Sequence, residues 1–281
     1  MRTTQMARSK LWALAGLVLS VLLNACAGPS APQRNERLAK AKAMFEQRCQ
    51  TAGEKIHRTV DNVEGIFLLK LRPEEINFGN QFALDDPYGH DLIGATGYIT
   101  SFVRGSYQAN TKGTPAPGSP PRLGYLFVEA ADPSDGKRYR YTGEVREYEA
   151  TSSIMMGGDG KKFKRTGFVL DKLPAPGAAP RYGVTHDDIS TREEREYWIA
   201  GSSLRVIDLL TNEVLAERVG YMIDLAQGST ARGRSPWLLA ADNACPSFFR
   251  NPQLPHRGPA FAVQARQAQD FVEKVLKPKG E

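Results

Sequence analysis

The sequence predicts an α+β fold, an antiparallel β-sheet with amphipathic helices at both termini of the mature chain. Two observations carry this. Apolar residues recur at three- and four-residue steps near each end, and the stretch between consists of short β-rich runs punctuated by turn residues, with no repeat at a fixed period. Strands of similar character lie on both sides of each long connection, so one domain over 36–281 is the simplest partition.

The first helix is expected over 36–57, where Leu38, Ala41, Phe45, Cys49, Ala52 and Ile56 fall on one face. That spacing turns Cys49 toward the core. The last helix is expected after Gly258 and Pro259, where Phe261, Ala265, Ala268, Val272 and Val275 form an apolar stripe running to about Lys277, before Pro278 and Gly280. Between them the first four strands are expected at 65–71, 97–104, 123–130 and 138–149, with Asp132-Pro133-Ser134-Asp135-Gly136 as the tight connection between the last two. Further strands are expected at 164–170, 196–200, 204–209 and 214–223. Thr211-Asn212-Glu213 then serves as a hairpin turn, and Leu215, Val219, Tyr221 and Ile223 as a buried face. Residues 106–122 and 174–192, rich in proline and glycine, read as long loops of the kind that carry function or stay unstructured.

The N-terminal 25 residues have a different character. Arg2, Arg8 and Lys10 precede an uncharged, mostly apolar run from Leu11 to Ala25 that ends at Cys26. A run of about 15 residues reaches about 22 Å as a helix, short of the roughly 30 Å hydrocarbon core. It fits a secretory signal peptide better than a permanent span. Leu23-Asn24-Ala25-Cys26 resembles the lipobox of bacterial lipoproteins, with leucine three positions before the cysteine and a small residue beside it; Asn24 is a less usual occupant. The resemblance covers the leader alone. It implies a cleaved signal peptide over 1–25, acyl chains on Cys26, and a polar tether over 26–35. With Ala27 rather than an aspartate after the cysteine, it also implies sorting to the outer membrane. Each buried methylene of an acyl chain contributes about 0.8 kcal/mol, so more than one chain anchors a protein without a transmembrane helix.

Cleavage would remove three of the positive charges behind the formal net charge of +6. The basic balance therefore supports no nucleic-acid partner. Cys49 and Cys245 remain besides the anchor, and in an oxidising compartment such a pair is most simply a disulfide. Closing a loop of about 195 residues contributes roughly 5 kcal/mol in the chain-entropy view.

Candidate chemistry is sparse. His90 lies among Asp85, Asp86 and Asp91, and His186 precedes Asp187 and Asp188; either set offers oxygen and imidazole ligands, but neither has a zinc or EF-hand spacing, and solvated polar turns account for both. Gly201-Ser202-Ser203 lacks the nucleophile elbow, and Gly157-Gly158-Asp159-Gly160-Lys161 lacks the spacing of a phosphate-binding loop and reads as a hairpin tip. The sequence calls for no cofactor and no metal. Lys161, Lys162, Lys164 and Arg165 surround Phe163 as a basic patch suited to anionic headgroups or an acidic partner. Tyr139 and Tyr141 alternate with Arg138 and Arg140, which makes one face of that strand aromatic and suited to the core; Trp198 and Trp237 have no assigned place.

The function these features suggest is a membrane-anchored periplasmic lipoprotein that binds a protein partner without catalysis, in one version an immunity or inhibitor protein against an envelope-targeting toxin. The alternatives are an envelope hydrolase using His90 or His186 with neighbouring aspartates, and a structural or assembly accessory of the envelope.

Overall fold

The structure is a computed structural model and describes residues 30–72, 94–106, 123–152, 158–248, 263–264 and 266–280. Helix α1 (Ala31–Cys49) has Pro32 in its first turn, and the Ser30 backbone N–H donates to the Gln33 side chain at 2.8 Å. Ala41, Met44 and Phe45 form its packed side, as the three- and four-residue spacing requires. The helix begins earlier than residue 36 and stops well before 57. Gly53 takes φ +146°, a conformation other residues rarely adopt, and β1 (Gly53–Ile56) then leaves in an extended direction. Ile56, expected on the helix, lies on this strand.

The chain continues through β2 (Val60–Val63), β3 (Gly65–Leu68), α2 (Ala95–Thr100), β4 (Phe127–Ala131), β5 (Arg138–Thr151), β6 (Lys162–Pro174) and β7 (Tyr182–Asp188). There follow α3 (Arg192–Glu196), β8 (Ile199–Asp208), β9 (Glu213–Ile223), α4 (Pro236–Ala240), β10 (Ala244–Cys245), α5 (Gln267–Val275) and β11 (Leu276–Pro278). The main sheet has the order β1-β9-β8-β7-β3-β4-β5-β6, with β10 also on β9, while β2 and β11 form a separate parallel pair. Neighbours are antiparallel except at β3, which runs parallel to both β4 and β7. The fold is therefore mixed α/β with a large, mostly antiparallel sheet and few helices.

Two expectations are corrected. Residues 97–104 do not form a strand: 95–100 are α2, and Tyr98, Ile99, Phe102 and Val103 are all buried. Those positions repeat at a step of four, so they share a helical face that a strand would have divided between two sides. Residues 174–192 are not a loop throughout, because β7 lies within them and pairs with β3 and β8 near the centre of the sheet. Its Thr185, His186, Asp187 and Asp188 conceal the apolar signal; the strand is fixed by partners on both sides. The runs at 196–200 and 204–209 merge into β8, and Glu196 instead ends α3, whose start Thr191 caps through the Glu194 N–H. The C-terminal helix ends at Val275, and Leu276–Pro278 turns into a strand beside β2.

The inner face of the sheet carries the main core. Ile66, Leu68, Val128, Val184 and Val206 pack beneath Tyr98 of α2 and Phe102 just after it, and beneath Phe271, Val272 and Val275 of α5. Tyr141 joins this core and Tyr139 packs against it, as their alternation with arginines predicts. On the outer face, α1 covers only the β8–β9 end, with Ala41 and Phe45 against Ile199, Tyr221 and Ile223. The Cys49–Cys245 disulfide is formed, with Cα atoms 5.6 Å apart, and ties the end of α1 to β10. Trp237 is fully buried and its ring lies 4.9 Å from that of Trp198, which takes φ +56°. No helix among the described residues is long and apolar enough to cross a membrane.

Candidate functional site: an exposed ribbon and an arginine-rich face

β5 and β6 pair over thirteen positions, from Tyr139 opposite Pro174 to Thr151 opposite Lys162. Only their first part lies over the core. From Glu144 outward β5 is exposed or half-buried, and 162–166 of β6 are exposed. Successive side chains on a strand point to opposite sides, so the register sorts every residue of this ribbon. One side carries Val145, Glu147 and Glu149 with Lys162 and Lys164. The other carries Arg146, Tyr148 and Ala150 with Phe163 and Arg165.

This sorting divides the basic patch read from sequence. Lys162 bonds Glu149 and Lys164 bonds Glu147, each at 2.8 Å, while Lys161 lies 3.0 Å from Asp159. Those three lysines belong to a charge ladder that is close to neutral. Ser152 donates to Asp159 at 2.6 Å and holds its carboxyl down at about 2, with Lys161 adding to the effect. Arg165 faces the other way, directly opposite Tyr148. On that same side Arg146 makes a two-point contact with Asp171 at 2.6 and 2.9 Å, and Phe163 is 45% exposed. The hydrogen bond from Arg146 keeps the Asp171 carboxyl below its usual range. A side combining Phe, Tyr and Arg has the composition of protein contact surfaces, where aromatic residues and arginine are enriched.

β6 ends the strand order and so offers an edge. Lys162, Lys164 and Lys172 lie along it, and charges there discourage further strand pairing. That favours contact through the ribbon's side over contact through its edge.

The outer face continues inward as a field of ion pairs. Glu129 of β4 is fully buried between Arg140 at 2.8 Å and Arg138 at 3.1 Å, and Arg140 stacks 3.8 Å from the centre of the Phe127 ring. Further along, Asp187 takes both Lys70 and Arg205, while Asp188, on the opposite face, takes Arg195 at 2.8 Å. Each carboxylate lies among cations that match or outnumber it. A separate cavity of about 630 Å³ opens beside β10 and α5, walled by Arg218, Phe248, Val263 and Phe271, with the Lys274–Glu54 pair at its rim. The Arg218 guanidinium donates to Gln267.

The histidine expectations fare differently. His186 is 2% exposed on the inner face with its ring edge-on to Tyr98 at 6.0 Å, so it is neither on a solvated turn nor at a surface. Asp187 projects to the opposite face, toward Lys70 and Arg205. Histidine and aspartate adjacent in sequence are thus separated by the sheet itself. Among the described residues, no three His, Cys, Asp or Glu side chains gather as a metal site. Ser202 and Ser203 lie within β8 rather than on an elbow. His90 with Asp85, Asp86 and Asp91, the lipidation residue Cys26, and residues 107–122 lie outside the described residues.

No known protein family matches the chain. Neither does any curated protein or any solved structure. The residues of the site therefore stand on their own chemistry. Tyr148 and Arg146 lie on the strand expected at 138–149 but were not singled out, because the partner strand was expected to begin only at 164; extending the alternation of 138–149 across that partner would have found them.

Proposed function

We propose that this chain is a lipid-anchored envelope protein, held to the bilayer through Cys26, that acts without catalysis by binding a protein partner through the aromatic and arginine side of the β5–β6 ribbon. The supporting observation is the gathering of Arg146, Tyr148, Phe163 and Arg165 on one side of the outer part of the β5–β6 pair, past the residues that pack on the core. The Cys49–Cys245 bridge suits an exported chain. The leader ending at Cys26 supplies the anchor, and tethering raises the effective concentration of the ribbon wherever a partner meets the membrane. An inhibitor of an envelope-targeting toxin is one concrete form of this role, and the outer membrane is the compartment the leader favours.

Two measurements test it together. Palmitate labelling should mark the native chain and fail on Cys26→Ser, which should also leave the membrane fraction. The doubly substituted Phe163→Glu, Arg165→Glu chain should fold normally and lose a partner that the native chain retains after purification. Retention of that partner by the double variant would remove the ribbon from the account.

A further inference from the structure

We infer a membrane-facing surface: the exposed start of α1, together with α3 and the turn after β9, rests on anionic phospholipid headgroups. The inference builds on the reading that Cys26 carries the lipid, and adds which side of the protein meets the bilayer and what chemistry it meets there.

Chain length sets the first constraint. Four residues lie between Cys26 and Ala31, where α1 begins, and the five steps along the chain span at most about 18 Å whatever their path. An acylated Cys26 therefore keeps the start of α1 within about two Debye lengths of the headgroups at physiological salt. The second constraint is how α1 sits. Its packed residues are Ala41, Met44 and Phe45, whereas residues 31–37 are all exposed and run for about 10 Å. That segment is the part of the described structure closest in sequence to the anchor, and it is not needed to fill the core.

Charge provides the third. The first turn of α1 holds no acid, and Arg34, Arg37 and Lys40 follow against Glu36. Arg37 and Lys40 lie 4.7 and 4.8 Å from the centre of the Tyr197 ring, which fixes α1 against the end of α3. The same end of the sheet includes the turn after β9, docked by Gln227 donating to the Tyr197 carbonyl at 2.8 Å, and this turn adds exposed Arg232 and Leu225. The exposed acids on this end are Glu36, Glu193 and Glu196, with Glu193 bound to Lys40 at 2.9 Å, while Glu194 and Asp224 are buried and paired with Arg48 and Arg234. Cations outnumber acids, and a partly exposed leucine lies among them. Basic side chains within a Debye length of an anionic leaflet are drawn to it.

The topology leaves the ribbon free. Six strand spacings separate β9 from β6, about 29 Å across the sheet. β5 also starts at the sheet end where β8 starts and runs to the other. The ribbon tip and the basic end thus occupy different edges and opposite strand ends, and the two contacts do not compete for one area.

The test uses the full-length acylated chain in vesicles of phosphatidylcholine, with and without phosphatidylglycerol, and lipids carrying a headgroup quencher. A fluorescent amino acid replaces Gln33 in one preparation and Lys161, on the ribbon, in another. The probe at 33 should be quenched more strongly than the probe at 161, more on phosphatidylglycerol vesicles than without it, and less as salt is raised. Arg34→Glu combined with Arg37→Glu should abolish the dependence on phosphatidylglycerol; the salt titration of the native chain gives the same information should that variant lose stability. Equal quenching with both lipid compositions at every salt concentration overturns the inference. Intact mass separates the causes: an acylated chain with no lipid dependence defeats the surface alone, whereas an unmodified Cys26 defeats the anchor reading and the surface with it.

Discussion

In the middle of the sheet, β7, β3 and β4 hold Val184, Ile66, Leu68 and Val128 almost fully buried under α2 and α5. At the sheet's far edge, β5 and β6 continue the same ladder of backbone bonds beyond any covering layer, with Val145 54% and Phe163 45% exposed. Backbone pairing does not fully distinguish these regions, although β6 is an edge strand and β5 beyond Tyr141 pairs with β6 alone. Burial does: covering a Phe, Leu or Ile contributes about 1.5–3 kcal/mol, and the ribbon forgoes that gain along much of its length. A region that keeps its shape without contributing to the core is free to present Phe163, Tyr148, Arg146 and Arg165 outward.

The contrast can be broken or sharpened by substitution. The largest effect is expected in the covered half: Phe271→Ala should cost about 3–5 kcal/mol in chemical denaturation, because a fully buried ring is lost and a cavity remains. Next comes the bridge on the outer face. Replacing Cys49 and Cys245 with serine together should cost about 2–5 kcal/mol, read as an earlier denaturation midpoint, and should loosen α1 before the β5–β6 ribbon in hydrogen exchange.

A pH effect should follow from Asp208, a buried carboxylate at the end of β8. The hydrogen bond from Arg181 holds its pKa below the usual value, burial opposes this, and the Leu210 N–H and Arg58 add to the lowering. An unfolded aspartate titrates near about 4, so the folded-state preference for the carboxylate is complete above that pH and is lost as pH falls toward the depressed value. Melting temperature should therefore drop on acidification below about pH 4. Asp208→Asn should start lower at neutral pH and respond less to acid.

The smallest effect on stability is expected on the ribbon: Phe163→Ala should change it by no more than about 0.5 kcal/mol. A cost near that of Phe271→Ala would mean the ribbon belongs to the core after all.

The same contrast explains what the sequence disclosed. β5 and β9 were legible because each has one face buried or aromatic and the other polar or charged, and the packed stripe of α1 was legible at its helical spacing. β7 was not. Its Thr185 and His186 are buried by neighbours that arrive from distant parts of the chain, and no local pattern records which strands those will be. The order β8-β7-β3-β4 has the same origin, since β3 lies between strands that follow it by about 60 and 115 positions. For α2 the signal was present, with Tyr98, Ile99, Phe102 and Val103 at helical spacing, but β-branched and aromatic residues favoured the strand reading. Of the candidate site, Lys161, Lys162, Lys164 and Arg165 were identified as a group; their division between two faces required the register with β5.

The most direct test of the binding account is a scan of a photo-crosslinking amino acid along the ribbon in intact cells. Positions 146, 148, 163 and 165 should all trap one and the same protein, while 147, 149, 162 and 164 on the opposite side trap little or none. Equal trapping from both sides, or none from any position, would contradict the assignment of the aromatic and arginine side as the contact surface.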